Sequence, residues 1–332
     1  MTTDTDARSA AAERPENTVA VLGGANVSPL LPRVLVACLA FIALFTACWV
    51  GAFHDPVPHG VQIGVVGTAP LPAESAVAIH RYGDASALRQ AVEHATVAGG
   101  IVLEHGQATI WTAQAQGRQT VRFVTTYLTG VAARSGDRAT VHALAPFASG
   151  DSAGVVPFFV VLSLLVPSLI AGALIGSASA LRRSVGVAAL VGFSILAYLL
   201  DWLIADRWLG AITGSSSGYA GVVVLYVLAV SATAAGLAAW GRPLVAIAGA
   251  LFLGLAVPAT GGPAALGYFL PAFFQHLQLL LPPSAAVYGI RADEWFDGVG
   301  VPTACLTLGA WSLAGTVALL AKRRTARPST KG

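Results

Sequence analysis

The stretch VVPFFVVLSLLVPSLIAGALI, residues 155–175, is apolar at nearly every position and contains no charged residue. About 20 such residues in a helix cross the roughly 30 Å hydrocarbon core of a bilayer. The stretch follows a long segment of ordinary, water-compatible composition, from His54 to Asp151. The sequence therefore predicts that a polar domain ends, and a membrane region begins, at this point.

Five further apolar stretches lie before and after this one: Val34–Phe53, Val185–Ile204, Gly221–Trp240, Leu244–Ala259 and Val301–Leu320. Hydrophobic residues make up 55% of the chain and charged residues only 11%, against about 25% charged residues in soluble proteins. We therefore predict an α-helical integral membrane protein with six transmembrane helices, one before and five after the polar domain.

The first apolar stretch is predicted to be a permanent membrane anchor, with its transmembrane helix at residues 33–53. It lies behind a polar N-terminal segment, and no small-x-small cleavage site precedes His54, so it does not resemble a cleaved signal peptide. Residues 1–32 have little apolar periodicity and are predicted to be disordered and cytoplasmic.

Basic residues predict the orientation of the chain, because short cytoplasmic loops of membrane proteins are enriched in Lys and Arg. With both termini in the cytoplasm, that side holds Arg8, Arg14, Arg33, Arg182, Arg183, Arg242, Lys322, Arg323, Arg324, Arg327 and Lys331. The short outer loops then hold only Arg207 and Arg291. We therefore predict a multi-pass membrane protein with both termini cytoplasmic, residues 54–152 outside and a basic cytoplasmic tail at 322–332.

One more apolar segment, residues 261–286, is nearly long enough to be a seventh span, which would place the tail outside. Its prolines and polar residues disfavour a spanning helix. The residues that argue against a span are Pro263, Pro271, Gln275, His276, Gln278, Pro282 and Pro283, and Gly262 belongs to the same predicted hairpin. We predict an outer re-entrant or interfacial hairpin within a five-helix transmembrane domain at 153–321, and a full span remains the alternative.

Residues 54–152 alternate strand-like and helix-like patterns. The predicted strands are Val61–Gly67, Val77–Tyr82, Ile101–Glu104, Ala108–Ala113 and Thr140–Leu144, with the third and fourth forming a hairpin. Asp84 is predicted to cap a helix of about a dozen residues, which Gly99 and Gly100 end. A second amphipathic helix covers Gln119–Ala133. The pattern predicts a small α+β extracytoplasmic domain between the first and second transmembrane helices.

Motifs for catalysis are missing from this outer domain. The chain has no G-x-G-x-x-G and no G-x-x-x-x-G-K-S/T. Its six histidines lack a metal-site spacing, which favours structural or exposed roles over a metal site. We predict no catalytic residue, cofactor or metal on this chain. Its net charge of +3 is too small to predict a nucleic-acid partner.

Two features lie inside the predicted spans. Gly172 and Gly176 form a G-x-x-x-G pair, which lets another helix approach closely; specific dimer packing and chance occurrence both remain open. Asp201 and Asp206 lie near the outer end of the third span. We predict an interfacial position for them rather than a proton relay, with Arg207 as the candidate partner of Asp201.

The layout of one span, an outer domain and five further spans resembles that of ABC-2 type transporter permeases of the YhgE/Pip-like membrane protein family. Residues His54–Gly67 (HDPVPHGVQIGVVG) are similar to the start of the outer domain in that family. Residues Leu281–Val287 (LPPSAAV), Arg291 and Trp295–Gly298 (WFDG) are similar to its "LP-P-x-A … R … Y-F-D-G" segment before the last span. The resemblance covers most of residues 33–321.

The resemblance implies a permease without its own ATPase, with ATP used through a partner subunit. That nucleotide-binding subunit would dock on the cytoplasmic loop between the second and third spans, at Ser179, Leu181, Arg182 and Arg183. Two copies, or a paralogous pair, would form the translocator in the lipid bilayer. The positive-inside rule alone also explains Arg182 and Arg183.

We therefore expect the permease subunit of an ABC-2 type exporter that moves a lipid-like or amphipathic small molecule across the bacterial inner membrane. The alternative is a non-transporting membrane receptor, or an envelope or secretion assembly protein, that acts through its extracytoplasmic domain.

Overall fold

The computed structural model describes residues 30–68, 71, 76–147, 149–213, 216–265 and 267–322. The predictions of a disordered N-terminus and of a basic tail lie outside the described residues, except at 30–32 and 322. The chain divides into two units, residues 1–42 and 43–332. Helix α1 (Leu30–Phe53) begins in the first unit, and every other element belongs to the second.

The polar segment forms a five-stranded sheet with two helices. Its elements are β1 (Val61–Val66), β2 (Val77–Arg81), α2 (Ala85–Glu93), β3 (Gly99–Glu104), β4 (Gln107–Ala113), α3 (Arg118–Ser135) and β5 (Arg138–Leu144). The strand order is β2-β1-β3-β4-β5. All neighbouring strands are parallel except β3 and β4, which form the predicted antiparallel hairpin.

Two glycines of β3 let the helices pack closely on the sheet. A Cβ atom at Gly100 would lie 2.5 Å from the Leu88 side chain on α2, and one at Gly99 would lie 2.6 Å from Val124 on α3. Successive strand residues point to opposite faces, so α2 and α3 cover opposite faces of the sheet. Leu88 and Val124 are both fully buried there.

The predicted cap of α2 is present, but the predicted end of that helix is wrong. The Asp84 carboxylate accepts a hydrogen bond from the Ala87 amide at 2.8 Å, as an N-cap residue does. The helix has nine residues and ends at Glu93, and Ala95 with φ 56° turns the chain. Gly99 and Gly100 instead lie inside β3, because only glycine leaves room for the packed helices.

The remaining helices are α4 (Val156–Ser177), α5 (Arg183–Trp202), α6 (Ser216–Trp240), α7 (Val245–Gly249), α8 (Val257–Ala259), α9 (Ala272–Leu277), α10 (Pro282–Trp295) and α11 (Val301–Ala321). A π-helical segment extends α5 to Trp208, and another joins α7 to α8. In the described part of the chain six helices are long and apolar enough to cross a membrane: Pro32–Phe53, Val156–Ser177, Arg183–Trp208, Ser217–Trp240, Arg242–Ala259 and Val301–Ala321. They coincide with the six predicted spans and indicate a multi-pass membrane protein.

Helix α6 is the central helix of this bundle, with 67% of its most apolar stretch buried, against at most 39% in the other spans. Small residues allow its close contacts. A Cβ atom at Gly176 of α4 would lie 2.7 Å from the Ala235 Cα, and one at Gly315 of α11 would lie 2.5 Å from the Thr233 nitrogen. Gly172 approaches α6 in the same way. The G-x-x-x-G pair therefore packs α4 against α6 of the same chain and is buried there.

In its described residues, the segment before the last span contains only short helices, among them α9 with six residues and α10 with 14. The predicted hairpin boundary at Ala286 is wrong, because it falls inside α10. Pro282 and Pro283 begin α10 instead of breaking a helix, since the first amides of a helix have no partner within it. Helix α11 holds the turn before α10: its Thr307 hydroxyl donates to the Leu279 carbonyl at 2.8 Å.

Candidate functional site

A cavity of about 260 Å³ lies between the sheet domain and the segment that precedes the last span. The sheet domain contributes His94, Ala95 and Gln116. The other side contributes Ala259, Thr260, Ala265, Gly267, Tyr268, Gln275, Gln278, Ser284, Val287, Tyr288, Arg291, Ala292, Phe296 and Val299. A concave, partly apolar site with a few converging polar groups is typical of small-molecule binding sites.

Arg291 of α10 is the strongest charge on the cavity wall. Its Nη2 donates a hydrogen bond to the carbonyl of Ala115, which lies in the short turn between β4 and α3. The guanidinium carbon lies 5.3 Å from the centre of the Trp295 ring, one helical turn further along α10. Burial lowers the pKa of Arg291 to about 10, and the charge of Asp151 opposes that shift. The side chain therefore stays cationic at neutral pH.

Asp151 is held at the start of α4 and is not paired with this arginine. Its two carboxylate oxygens accept hydrogen bonds from the backbone amides of Val155 and Val156, each at 2.9 Å. Negative charge is favourable at a helix N-terminus, where amides lack partners. Within the described ranges no carboxylate oxygen lies within 4.0 Å of the Arg291 guanidinium.

Uncharged polar side chains complete the cavity wall. The Gln275 side-chain amide donates to the Leu270 carbonyl at 3.0 Å, which fixes its position on α9. Gln278 lies just after this helix and also lines the cavity. Burial raises the pKa of the Tyr268 hydroxyl to about 12, with a smaller contribution from Tyr288. Amide and hydroxyl groups of this kind bind a ligand by hydrogen bonding.

Helix α10 joins the cavity to the core of the sheet domain. Trp295 and Phe296 at its end are 9% and 6% exposed, and they belong to the buried cluster that contains Leu88 of α2. The Phe147 and Trp295 rings pack edge to face, with their centres 5.5 Å apart. A change in the position of α10 therefore alters the cavity and the sheet domain together.

Acidic residues near the start of α6 have structural partners. The Tyr219 hydroxyl donates a hydrogen bond to Asp201, while Arg207 lies over the Trp202 ring at 5.7 Å. The predicted partnership of Asp201 with Arg207 is therefore wrong. Asp293 accepts a hydrogen bond from the Tyr219 amide, and burial together with the neighbouring Glu294 charge raises the pKa of Asp293 to about 6.

The residues predicted for the hairpin separate into several environments. Gln275 and Gln278 line the cavity. His276 is exposed on α9, and Pro263 borders a different space beside Arg118 and Arg122. Gly262 has φ +64°. Pro271 precedes α9, and Pro282 and Pro283 begin α10.

Of the predicted docking residues, Ser179, Leu181 and Arg182 lie in the connection between α4 and α5, and Arg183 is the first residue of α5. Ser179 and Arg182 are exposed, and Leu181 is half-buried. Arg183 is half-buried, and its Nη1 donates to the Gly176 carbonyl at 3.4 Å. Arg183 therefore caps the end of α4, and Arg182 is the arginine that faces outward.

Sequence reasoning does not identify Arg291 as a site residue, because the sequence places it in a predicted short outer loop, where an arginine bears only on orientation. The structure places it within α10, on the cavity wall and hydrogen-bonded to the Ala115 carbonyl of the sheet domain. A lone arginine within a long, weakly charged stretch was the available signal. Tyr268 and Tyr288 give no comparable signal, since only the fold brings them to the cavity, whereas Gln278 is one of the polar residues in the predicted hairpin.

Comparisons with family models, with curated proteins and with solved structures found no match to this chain. The resemblance to ABC-2 type permeases therefore rests on the layout of the spans and on the short sequence motifs.

Proposed function

We propose that this chain is the permease subunit of an ABC-2 type exporter that moves a lipid-like or amphipathic small molecule across the bacterial inner membrane. The observation that carries this proposal is the mixed cavity beside α9 and α10, two helices too short to span, in a chain with six apolar helices. In the proposed topology both termini are cytoplasmic and the sheet domain lies outside.

The cavity suits an amphipathic molecule because its wall combines polar and apolar side chains. Gln275, Gln278 and Arg291 offer hydrogen-bond donors, and Val287 and Phe296 offer apolar surface. A molecule with one polar and one apolar end satisfies both. This match favours a transported or sensed amphiphile over a fully polar solute.

The energy for export would come from a separate ATPase, since the sequence has no phosphate-binding loop of the G-x-x-x-x-G-K-S/T type. In the proposal, this partner docks at Ala178–Arg182, the connection between α4 and α5. Arg182 is the best candidate contact because it is exposed. A homodimer or a paralogous permease would complete the translocator.

Copurification tests the proposal. The full chain is crosslinked in cells, extracted in mild detergent and analysed by mass spectrometry, and we expect an ATPase with a Walker motif. Arg182→Glu should reduce its recovery. Arg242→Glu is the matched control, because Arg242 is also exposed in a short loop of the same predicted orientation. Failure to recover any ATPase after crosslinking would contradict the export proposal.

The alternative, a receptor or envelope assembly protein, is favoured by one observation: Trp295 of α10 and Phe296, which follows it, share a core with the sheet domain. Ligand binding in the cavity would then be transmitted to the outer surface of that domain. This alternative predicts that crosslinking recovers an envelope or secretion protein through the sheet domain, without an ATPase.

A further inference from the structure

Arg291 is a half-buried cation at the cavity wall, and among the described residues no carboxylate lies within 4.0 Å of its guanidinium. A buried charge is costly unless it is paired and hydrogen-bonded. The described residues give Arg291 the Ala115 carbonyl and the face of Trp295. Both are weak compensation for a guanidinium, which has five N–H donors.

The nearest candidate counter-charge is already engaged. Asp151 uses both oxygens on the amides that begin α4, at 2.9 Å each. Moving it to Arg291 would leave those amides without partners, which is costly for polar groups that are shielded from water. The protein therefore keeps Asp151 on the helix and leaves Arg291 at the cavity wall.

The surroundings of Arg291 indicate what would pair with it. Gln278 and Tyr288 can donate hydrogen bonds into the same cavity, and Val287 and Ala292 form an apolar wall. Guanidinium groups bind carboxylate and phosphate with two parallel hydrogen bonds. We propose that this cavity binds the anionic head group, phosphate or carboxylate, of an amphipathic molecule, with Arg291 as the residue that recognises the charge.

This inference rests on the proposed function only for the claim that the ligand is the exported substrate. Binding itself requires no ATPase. If Arg291-dependent binding is found and no ATPase copurifies, export is refuted and the site stands. If an ATPase copurifies but no anion binds, the site is refuted and export stands.

The test uses the full chain purified in dodecyl maltoside, an uncharged detergent, and titrated with dodecyl phosphate in a calorimeter. We expect saturable binding that Arg291→Gln weakens about tenfold or more, because charge-assisted hydrogen bonds are lost. The matched control is Arg207→Gln. Arg207 also lies over a tryptophan ring, at 5.7 Å, but it does not line the cavity, so its replacement should leave the affinity unchanged.

Inorganic phosphate separates the two sources of the anion. Much weaker binding of inorganic phosphate than of dodecyl phosphate supports an amphipathic ligand, and equal binding overturns that part of the proposal. Arg291→Lys and Gln278→Met keep the test valid if Arg291→Gln fails to fold. Each should weaken binding severalfold, and unchanged affinity in both, or no binding to the parent chain, overturns the site.

Discussion

Replacing Gly176 of α4 by alanine should destabilise the contact between α4 and α6. The added Cβ would lie 2.7 Å from the Ala235 Cα, against an ordinary contact of 3.4–4 Å, so the helices must separate. Overpacking of this kind costs about 1–3 kcal/mol, and the obstructing atoms are backbone, which favours the upper part of that range. Alanine is also better than glycine inside a helix by about 1 kcal/mol. We expect a net loss of about 1–2 kcal/mol in the free energy of unfolding.

Gly192→Ala on α5 is the matched control, because nothing lies within 4 Å of a Cβ atom at that position. It should leave the free energy of unfolding unchanged or raise it by up to about 1 kcal/mol. Both variants are compared by unfolding the full chain in detergent and following tryptophan fluorescence. If Gly176→Ala unfolds at the same point as Gly192→Ala, the close packing of α4 on α6 is refuted.

Three other substitutions test separate parts of the structure. Leu88→Ala should lower the free energy of unfolding by about 2–5 kcal/mol, because it empties a fully buried contact between α2 and the sheet. Asp293→Asn should stabilise the chain at pH 7.5 but not near pH 3. The folded-state pKa of about 6 lies above the ordinary value of 3.8, so the stability contributed by the protonated carboxyl is fully present below about pH 3.8 and is lost as pH rises to about 6. The amide oxygen of asparagine still accepts from the Tyr219 amide, and the difference should approach 2–3 kcal/mol, at about 1.4 kcal/mol for each pKa unit. Trp311→Phe removes the indole donor to the Leu280 carbonyl at 2.9 Å and should cost about 1 kcal/mol.

For each of the three substitutions, one experimental result would contradict the prediction. A Leu88→Ala protein as stable as the parent would show that α2 does not close the sheet. Equal stabilisation by Asp293→Asn at both pH values would show that ionisation of this carboxyl is not the cause. Unchanged stability of Trp311→Phe would mean that α11 does not hold the turn before α10.

The elements that follow from local chemistry were predictable from the sequence. Apolar stretches of membrane length gave the six helices, and alternation between glycine turns gave the strands. Asp84 before an amphipathic pattern gave the start of α2. In each case the signal and its cause lie within a few neighbouring residues.

Features that depend on distant contacts were not predictable. The sequence predicts that Gly99 and Gly100 end a helix. In the structure they lie in β3 and leave room for side chains of other elements, Val124 of α3 at Gly99 and Leu88 of α2 at Gly100. Arg291 likewise becomes notable only once α10 lies against the turn that carries Ala115. The cavity forms where the sheet domain contacts the segment at 259–299. No local sequence pattern predicts that contact.

The central claim is that the sheet domain and the cavity-forming end of α10 lie on the outer face of a six-span permease. Cysteine labelling in intact cells tests it most directly, with Cys38, Cys48 and Cys305 replaced by alanine. An impermeant maleimide should label Glu104→Cys in the sheet domain and Val299→Cys after α10, and should label Ala180→Cys, between α4 and α5, only after permeabilisation. Labelling of Val299→Cys only after permeabilisation would mean that residues 261–286 cross the membrane, and would contradict the account.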